Sequence, residues 1–301
     1  MDTLPFVSVV IPVYNDPDGI ENTLKSITEQ SYLNDNHEVI IVDNDSTDDT
    51  RRVAERVAER QSNVRVIVEE EVQGSYAARN RGIDHAEGEI LAFLDANMIV
   101  EGDWLESAVE SIKRRKADYM ACDVELYVDG GRETIAGAYN RRTGFPIEQY
   151  IERNHFAPTC CLFVRQWVVE EHGPFDARLV SGGDVEFGNR VHDAGIELEY
   201  EPTVTAYHPV RSSIRELLQK SFRVGKGSGQ LARYYPDRFG HLGIINPIAL
   251  LARVLFSSSG DDETLGSGNQ PDSLKRRVAF RIISVLEDVW YLGGRASVVI
   301  S

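Results

Sequence analysis

The sequence predicts a doubly wound α/β fold with a mostly parallel sheet, followed by a helical C-terminal extension. Three observations carry that prediction. Apolar runs without polar alternation, such as Val9-Val-Ile-Pro-Val13, Glu38-Val-Ile-Ile-Val-Asp43 and Ile90-Leu-Ala-Phe-Leu94, read as strands buried on both faces. Segments with apolar residues at helical spacing separate these runs. The connections between them are short, as parallel strands with crossover helices require.

Taken in order, Phe6 to Pro12 is the first strand, and Asp18 to Gln30 is a helix with Ile20, Leu24 and Ile27 on one stripe. Glu38 to Asp43 is the second strand, and Ser46 or Thr47 offers a cap for a helix with an acidic first turn and Val53 and Val57 on its stripe. Val64 to Val68 is the third strand. Gly74 to Gly82 opens the next helix, and Ile90 to Leu94 is the fourth strand. Ala117 to Tyr127, Pro158 to Arg165 and Val204 to His208 read as further strands, and Ile135 to His155 has only weak periodicity with several aromatics.

Composition narrows the function. The 301 residues can bury a sizeable core. With 48 acids against 32 Lys and Arg the net charge is −16, which excludes non-specific nucleic-acid binding because no global basic surface exists to neutralise phosphates. Only six of the 32 basic residues are Lys. Many acids with few Lys are expected of a salt-adapted, halophilic protein, where screening makes a dense negative surface tolerable and molar KCl raises the melting temperature. Three cysteines, two of them adjacent, make no disulfide framework and point to a reducing compartment. The chain shows no signal peptide and no run of about 18 apolar residues, so a cytoplasmic protein is expected.

Polar residues stand where three strands end: Tyr14 and Asn15, Asp43 and Asn44, Asp95 and Asn97. In an open α/β sheet that edge is the ligand crevice. No G-x-G-x-x-G or G-x-x-x-x-G-K-[ST] loop opens a helix here, so a bound nucleotide has to be held by side chains and a metal rather than by a glycine-rich cradle.

Val9-Val-Ile-Pro-Val-Tyr-Asn15, Val42-Asp-Asn-Asp-Ser-Thr-Asp48, Ala78-Arg-Asn-Arg-Gly82 and Phe93-Leu-Asp-Ala-Asn97 together resemble the successive motifs of inverting family 2 glycosyltransferases, over roughly residues 5 to 235. The resemblance implies a GT-A fold and a nucleotide-diphosphate sugar donor. It implies that Pro12, Tyr14 and Asp43, with Asn44, surround the nucleoside, that Arg79 approaches the diphosphate, and that Asp95 meets the ribose or donor sugar. Asn97 departs from the pattern, since the family usually has a metal-ligating Asp there. Three readings stay open. The site binds Mg²⁺ or Mn²⁺ more weakly, compensated by high salt or by a second ligand such as His208; it works without metal, through basic residues such as Arg79; or it has lost catalysis.

Gly173-Pro-Phe-Asp176 and Gly182-Gly-Asp-Val-Glu-Phe187, with Arg190 and Gly195, resemble the family's acceptor-side motif. Asp184 falls on the position of the catalytic base, at a helix N-terminus expected to keep it ionised; Gly183 stands where a Glu usually precedes it. Without its neighbours Asp184 reads as a helix cap and Glu186 as a first-turn acid. His208 stands where a His often completes the metal shell, and is otherwise a turn residue before Pro209. Cys160 and Cys161 read as small buried apolar residues.

Residues 1–235 are expected to form the GT-A glycosyltransferase domain and 236–301 a helical extension with a low-complexity linker at 257–272. Arg211 to Tyr235 is locally basic, suiting a phosphorylated acceptor or an anionic membrane surface, or else forming a solvated helix face. Leu242 to Phe256 is apolar but too short to span a bilayer. Leu274, Val278, Ile282, Leu286 and Trp290 share one helical stripe beside Lys275, Arg276, Arg277 and Arg281. That pattern fits an interfacial helix at a membrane, or a helix packed on protein. The expected activity is hexosyl transfer from a nucleotide-diphosphate sugar to a lipid-phosphate-linked or glycan acceptor at the cytoplasmic membrane face. The alternative is a non-catalytic sugar-nucleotide or glycan-binding protein on a decayed transferase.

Overall fold

A computed structural model describes residues 4–243 and 274–300. The expected linker at 257–272 and most of the apolar stretch 242–256 lie outside the described residues. The chain divides into two compact units: Met1–Glu125 with Phe145–Arg178 and Gly183–His208, and Leu126–Gly144 with Leu179–Gly182 and Pro209–Ser301.

The sheet has eight strands in the order β3-β2-β1-β4-β7-β6-β8-β5. They are β1 (Val7–Val13), β2 (His37–Asp43), β3 (Val64–Val68), β4 (Ile90–Leu94), β5 (Ile99–Val100), β6 (Tyr119–Tyr127), β7 (Cys161–Arg165) and β8 (Leu198–Pro209). The parallel sheet expected from the sequence is its first half: β1 pairs parallel with β2 and β4, and β2 with β3. Beyond β4 the pairings of β4 with β7, β6 with β7 and β5 with β8 are antiparallel. Strands buried on both faces carry the same apolar signature in either direction, so the sequence does not reveal the reversal. All of β2 and β4 and nearly all of β1 are buried.

The crossover helices are α1 (Pro17–Ile27), α2 (Thr50–Ala58) and α3 (Ser75–Ile83), followed by α4 (Trp104–Arg115). Asp16 caps α1 by accepting from the Gly19 amide at 3.0 Å, and Pro17 stands in the first turn, where it sacrifices no helical bond. The cap expected for α2 is corrected. The helix starts at Thr50 with no acid in its first turn, and Asp48 Oδ1 takes the Thr50 amide at 2.9 Å. Ser46 and Thr47 instead bind Asn15 on the neighbouring strand end: the Asn15 amide donates to Ser46 Oγ at 3.0 Å and the Thr47 amide to Asn15 Oδ1 at 2.8 Å. Asn15 adopts the left-handed region (φ 48°) that this stitch requires.

The weakly periodic stretch after β6 forms α5 (Ile135–Thr143) and α6 (Ile147–Asn154), and α7 (Gln166–His172) and α8 (Gly183–Asp193) flank the 173–182 loop. In the second unit, α9 (Ile214–Tyr234), the short α10 (Pro236–Phe239) and α11 (Leu274–Ile300) complete the described chain. A Cβ on Gly225 would meet the Tyr291 carbonyl and one on Gly294 the Phe222 carbonyl, so these glycines let α9 and α11 approach backbone to backbone. α11 buries Phe280 and Ile283 in a cluster with Ala136, Ala138, Tyr139 and Leu217. Of the stripe read from the sequence, Leu274, Val278, Ile282 and Trp290 are exposed, because the helix packs through a different face.

Candidate active site

β1, β2 and β4 run parallel, so Val13, Asp43 and Leu94 end at one edge of the sheet. Pro12 is in β1, and Tyr14, half exposed, follows it as a free aromatic face. Asp43 is fully buried: its Oδ2 accepts from Arg51 Nε at 3.0 Å and the Ser46 amide at 3.3 Å, while its Oδ1 has no partner. A buried acceptor left unpaired costs stability unless something outside the chain pairs with it. The Asn44 amide is used inside the protein. Its Nδ2 donates to the Glu69 and Val72 carbonyls, both at 3.0 Å, and its Oδ1 accepts from Gly74 N at 2.6 Å and Gln73 Nε2 at 3.1 Å. It thereby shapes the 69–74 turn leading into α3.

Where β4 ends, Asp95 is 36% exposed and the Arg79 guanidinium, 4% exposed, meets its Oδ1 at 2.5 Å. Arg79 lies on the buried side of α3 with Tyr76, Ala77, Ala78 and Gly82, and its Nε has no partner. The β4–β7 register sets Leu94 opposite Cys161, which brings Cys160 beside Asp95 one step further on. Burial raises the Cys160 thiol far above its usual range, and Asp95, Arg79 and Asp184 all act on it electrostatically. Both adjacent cysteines are buried, and so is Cys122.

Asp184 lies in the first turn of α8. The Tyr76 hydroxyl donates to its Oδ1 at 3.1 Å, and the Val185 amide donates to the same oxygen at 3.0 Å. Burial nonetheless raises the carboxyl above its ordinary value, opposed by Tyr76, the Val185 N–H and Arg79. Desolvation and the helix-end donors thus act on Asp184 in opposite directions, and desolvation is the larger effect. Glu186, two residues on, is an ion-pair partner: Arg190 reaches both of its oxygens at 2.8 Å and also binds the 172–174 carbonyls.

An aromatic cluster fixes these parts. Phe175 packs on Tyr76 (centroids 5.7 Å apart), on Phe93 (5.4 Å) and on Phe187 (4.8 Å). Asn80, beside Arg79, clamps the Phe175 backbone from both sides, its Nδ2 donating to the carbonyl at 2.8 Å and its Oδ1 accepting the amide at 3.1 Å. Arg79, Asp95 and Asp184 are thus brought together, with Tyr76 between them. Neither Tyr76 nor Asn80 was singled out from the sequence, since their partners lie far along the chain and local periodicity does not encode them.

Asn97 lies in the turn between β4 and β5, closed by the Met98 amide donating to the Asp95 carbonyl at 3.2 Å, and His208 lies near the end of β8. The short strand after that turn pairs Ile99 with Tyr207, next to His208 in the chain. His208 is buried, its ring 5.7 Å from that of Phe145. Among the described residues no three His, Cys, Asp or Glu side chains are grouped to hold a metal ion. One carboxylate already paired with arginine and one neutral amide do not amount to a divalent-cation cage, so these side chains by themselves do not fit a resident metal.

A sheet parallel through its first four neighbours and antiparallel beyond, with acids at the shared strand ends and at the start of α8, is the GT-A architecture of sugar-transferring enzymes. The chain belongs to glycosyl transferase family 2, whose model matches residues 8–172. It is 44% identical over 230 residues to the glycosyltransferase AglE of Haloferax volcanii, covering 76% of this chain and 75% of that one. It is 23% identical over 239 residues to the dolichyl N-acetyl-α-D-glucosaminyl phosphate 3-β-D-2,3-diacetamido-2,3-dideoxy-β-D-glucuronosyltransferase of Methanococcus voltae, covering 76% and 74%. Among solved structures it superposes on the mannosyltransferase PcManGT of Pyrobaculum calidifontis, determined with GDP-Man and Mn²⁺, with a TM-score of 0.63 at 20% identity over 98% of this chain and 87% of that one. It also superposes on residues 1–349 of S. aureus TarS with UDP-GlcNAc, with a TM-score of 0.57 at 17% identity over 97% and 90%. The family and its relatives make the chain a transferase enzyme.

Proposed function

We propose that the chain transfers a sugar from a nucleotide-diphosphate donor to a lipid-phosphate-linked or glycan acceptor in one displacement with inversion. The observation that carries this reading is the Asp184 carboxylate, hydrogen-bonded by Tyr76, whose ring also carries the Arg79 guanidinium of the Arg79–Asp95 pair. Asp184 takes the proton of the acceptor hydroxyl as that oxygen bonds to the anomeric carbon, and the bond from that carbon to the diphosphate oxygen breaks. Arg79 supplies positive charge for the leaving diphosphate. Tyr14 offers a stacking face for the base. Asp43 Oδ1, buried and unpaired, is an acceptor for a base N–H, and Pro12 and Asn44 shape the walls around it. Asp95 shares Arg79 with the donor and meets its ribose or sugar.

The side chains alone do not form a cage for Mg²⁺ or Mn²⁺. In this reading such an ion arrives as the counterion of the donor diphosphate, at the end of the site occupied by Asn97 and His208. The donor class draws support from the GDP-Man and UDP-GlcNAc complexes of the two superposed enzymes, and the lipid-phosphate acceptor from the name of the Methanococcus relative.

Residues 1–235 carry the transfer in this proposal, and 236–301 contribute a helical extension. Among the described residues no helix is long and apolar enough to cross a membrane. The exposed Leu274, Val278, Ile282 and Trp290 beside Lys275 and Arg277 favour peripheral contact with an anionic leaflet on the cytoplasmic side. Flotation with phosphatidylglycerol vesicles that is lost in Ile282→Asp supports that contact; flotation equal to wild type contradicts it.

The transfer itself is tested with Asp184→Asn, using a panel of UDP- and GDP-sugars. Turnover should fall by about 10²–10⁴-fold with nucleotide-sugar affinity retained. Turnover near wild type removes Asp184 from the base role.

A further inference from the structure

Gly183 and Tyr76 have to be considered together. A Cβ built on Gly183 would lie 2.8 Å from Cε2 and Cζ of the Tyr76 ring and 2.9 Å from Cδ2. Those distances are shorter than carbon atoms tolerate, so no residue with a side chain fits at 183 while the ring stays where it is. The ring is not free to yield. Phe175 packs on it at 5.7 Å and the Arg79 guanidinium sits 5.6 Å over its centroid. The space opened by Gly183 is the space the phenol occupies to reach Asp184, 108 residues away in the chain.

The hydrogen bonds are also one-sided. Tyr76 Oη and the Val185 amide both donate to Oδ1 of Asp184. The Asp184 amide in turn donates to the Tyr76 hydroxyl at 3.4 Å. The carboxylate is therefore gripped through one oxygen, with Oδ2 taking neither donor. A phenol donates to a carboxylate more strongly than to a carboxylic acid, so this contact favours the ionised form and fixes the rotamer together.

We propose that Tyr76 is the positioning residue of the base, holding Asp184 through Oδ1 so that Oδ2 is presented to the acceptor proton, and that Gly183 exists to admit its ring. This rests on the reading of Asp184 as the base. The other groups that act on Asp184 are Arg79 from α3, Tyr119 from β6, Tyr150 from α6 and Cys160 ahead of β7. Burial raises both tyrosines and the thiol, so all three stay neutral through the acidic range, and Arg79 contributes a fixed positive charge. Asp95, paired to Arg79 at 2.5 Å, is the other acid of the site.

The test compares the full-length wild type with Tyr76→Phe and Gly183→Ala, using whichever UDP- or GDP-sugar the wild type turns over fastest. Turnover is followed from acidic to neutral pH. Base catalysis fails as pH drops through the Asp184 pKa. Loss of a donor that stabilises the ionised form raises that pKa, so the acidic limb of kcat should move to higher pH by roughly one unit in Tyr76→Phe. The donor KM should stay within about twofold. Gly183→Ala should shift the limb in the same direction by displacing the ring. If that variant is too unstable to assay, Tyr76→Phe, which keeps the ring and loses a single oxygen, decides alone. An unmoved limb in Tyr76→Phe, with Asp184→Asn inactive, overturns the positioning role and leaves the base intact. An active Asp184→Asn overturns the base reading and this proposal with it.

Discussion

Arg79 acts on two acids, and the protein treats them in opposite ways. At the end of β4, Asp95 is 36% exposed and balanced by a full positive charge, Arg79, at 2.5 Å. At the start of α8, Asp184 has no cation in direct contact among the described residues; it is desolvated and held by a neutral phenol and a backbone amide. A paired carboxylate is a poor proton acceptor but a good fixed element of an anion-binding end. A desolvated carboxylate, its pKa raised by burial, is suited to removing a proton. Both departures from the family pattern fall beside these acids. Gly183 has a visible reason in the Tyr76 ring. Asn97 has no comparable partner among the described residues.

That contrast can be broken from either side. The largest effect is expected from Arg79→Met, which removes the counter-charge of Asp95 and the proposed diphosphate contact at once. Turnover should drop by about 10²–10³-fold. Stability should drop by only about 1–2 kcal/mol, because the exposed side of Asp95 is screened by water. Steady-state kinetics and a thermal melt separate the two losses, and a variant that melts like wild type but retains full turnover would detach Arg79 from the reaction. A smaller effect is expected from Asn97→Asp, which restores a hard anionic ligand. Nucleoside diphosphate should then bind roughly tenfold more tightly with Mn²⁺ than without, by calorimetry, where the wild type shows a smaller difference. An equal Mn²⁺ effect in both would mean that position 97 does not face the diphosphate.

The sequence exposed one side of this site far better than the other. β1, β2 and β4 are continuous apolar runs that stop at polar residues, so their shared edge and the acids on it could be read directly. Arg79 and Asp184 were legible through motifs. The antiparallel half was not, since burial on both faces erases the difference between strand directions, and α5 and α6 carry too little periodicity to delimit. Tyr76 was invisible for another reason. Its importance lies in a hydrogen bond to a residue 108 positions away, and Gly183 read as a loss until the ring that fills its space was in view. The α11 stripe misled in its own way: the apolar spacing was there, but the helix buries Phe280 and Ile283 and leaves most of the stripe exposed.

The central claim is that a single carboxylate base drives one in-line displacement. NMR of the sugar product, taken as it forms and before it mutarotates or is processed, reads this directly from the anomeric configuration. The account predicts a configuration opposite to that of the nucleotide-sugar donor. Retained configuration would require two displacements or attack from the leaving-group face, and would contradict the role given to Asp184.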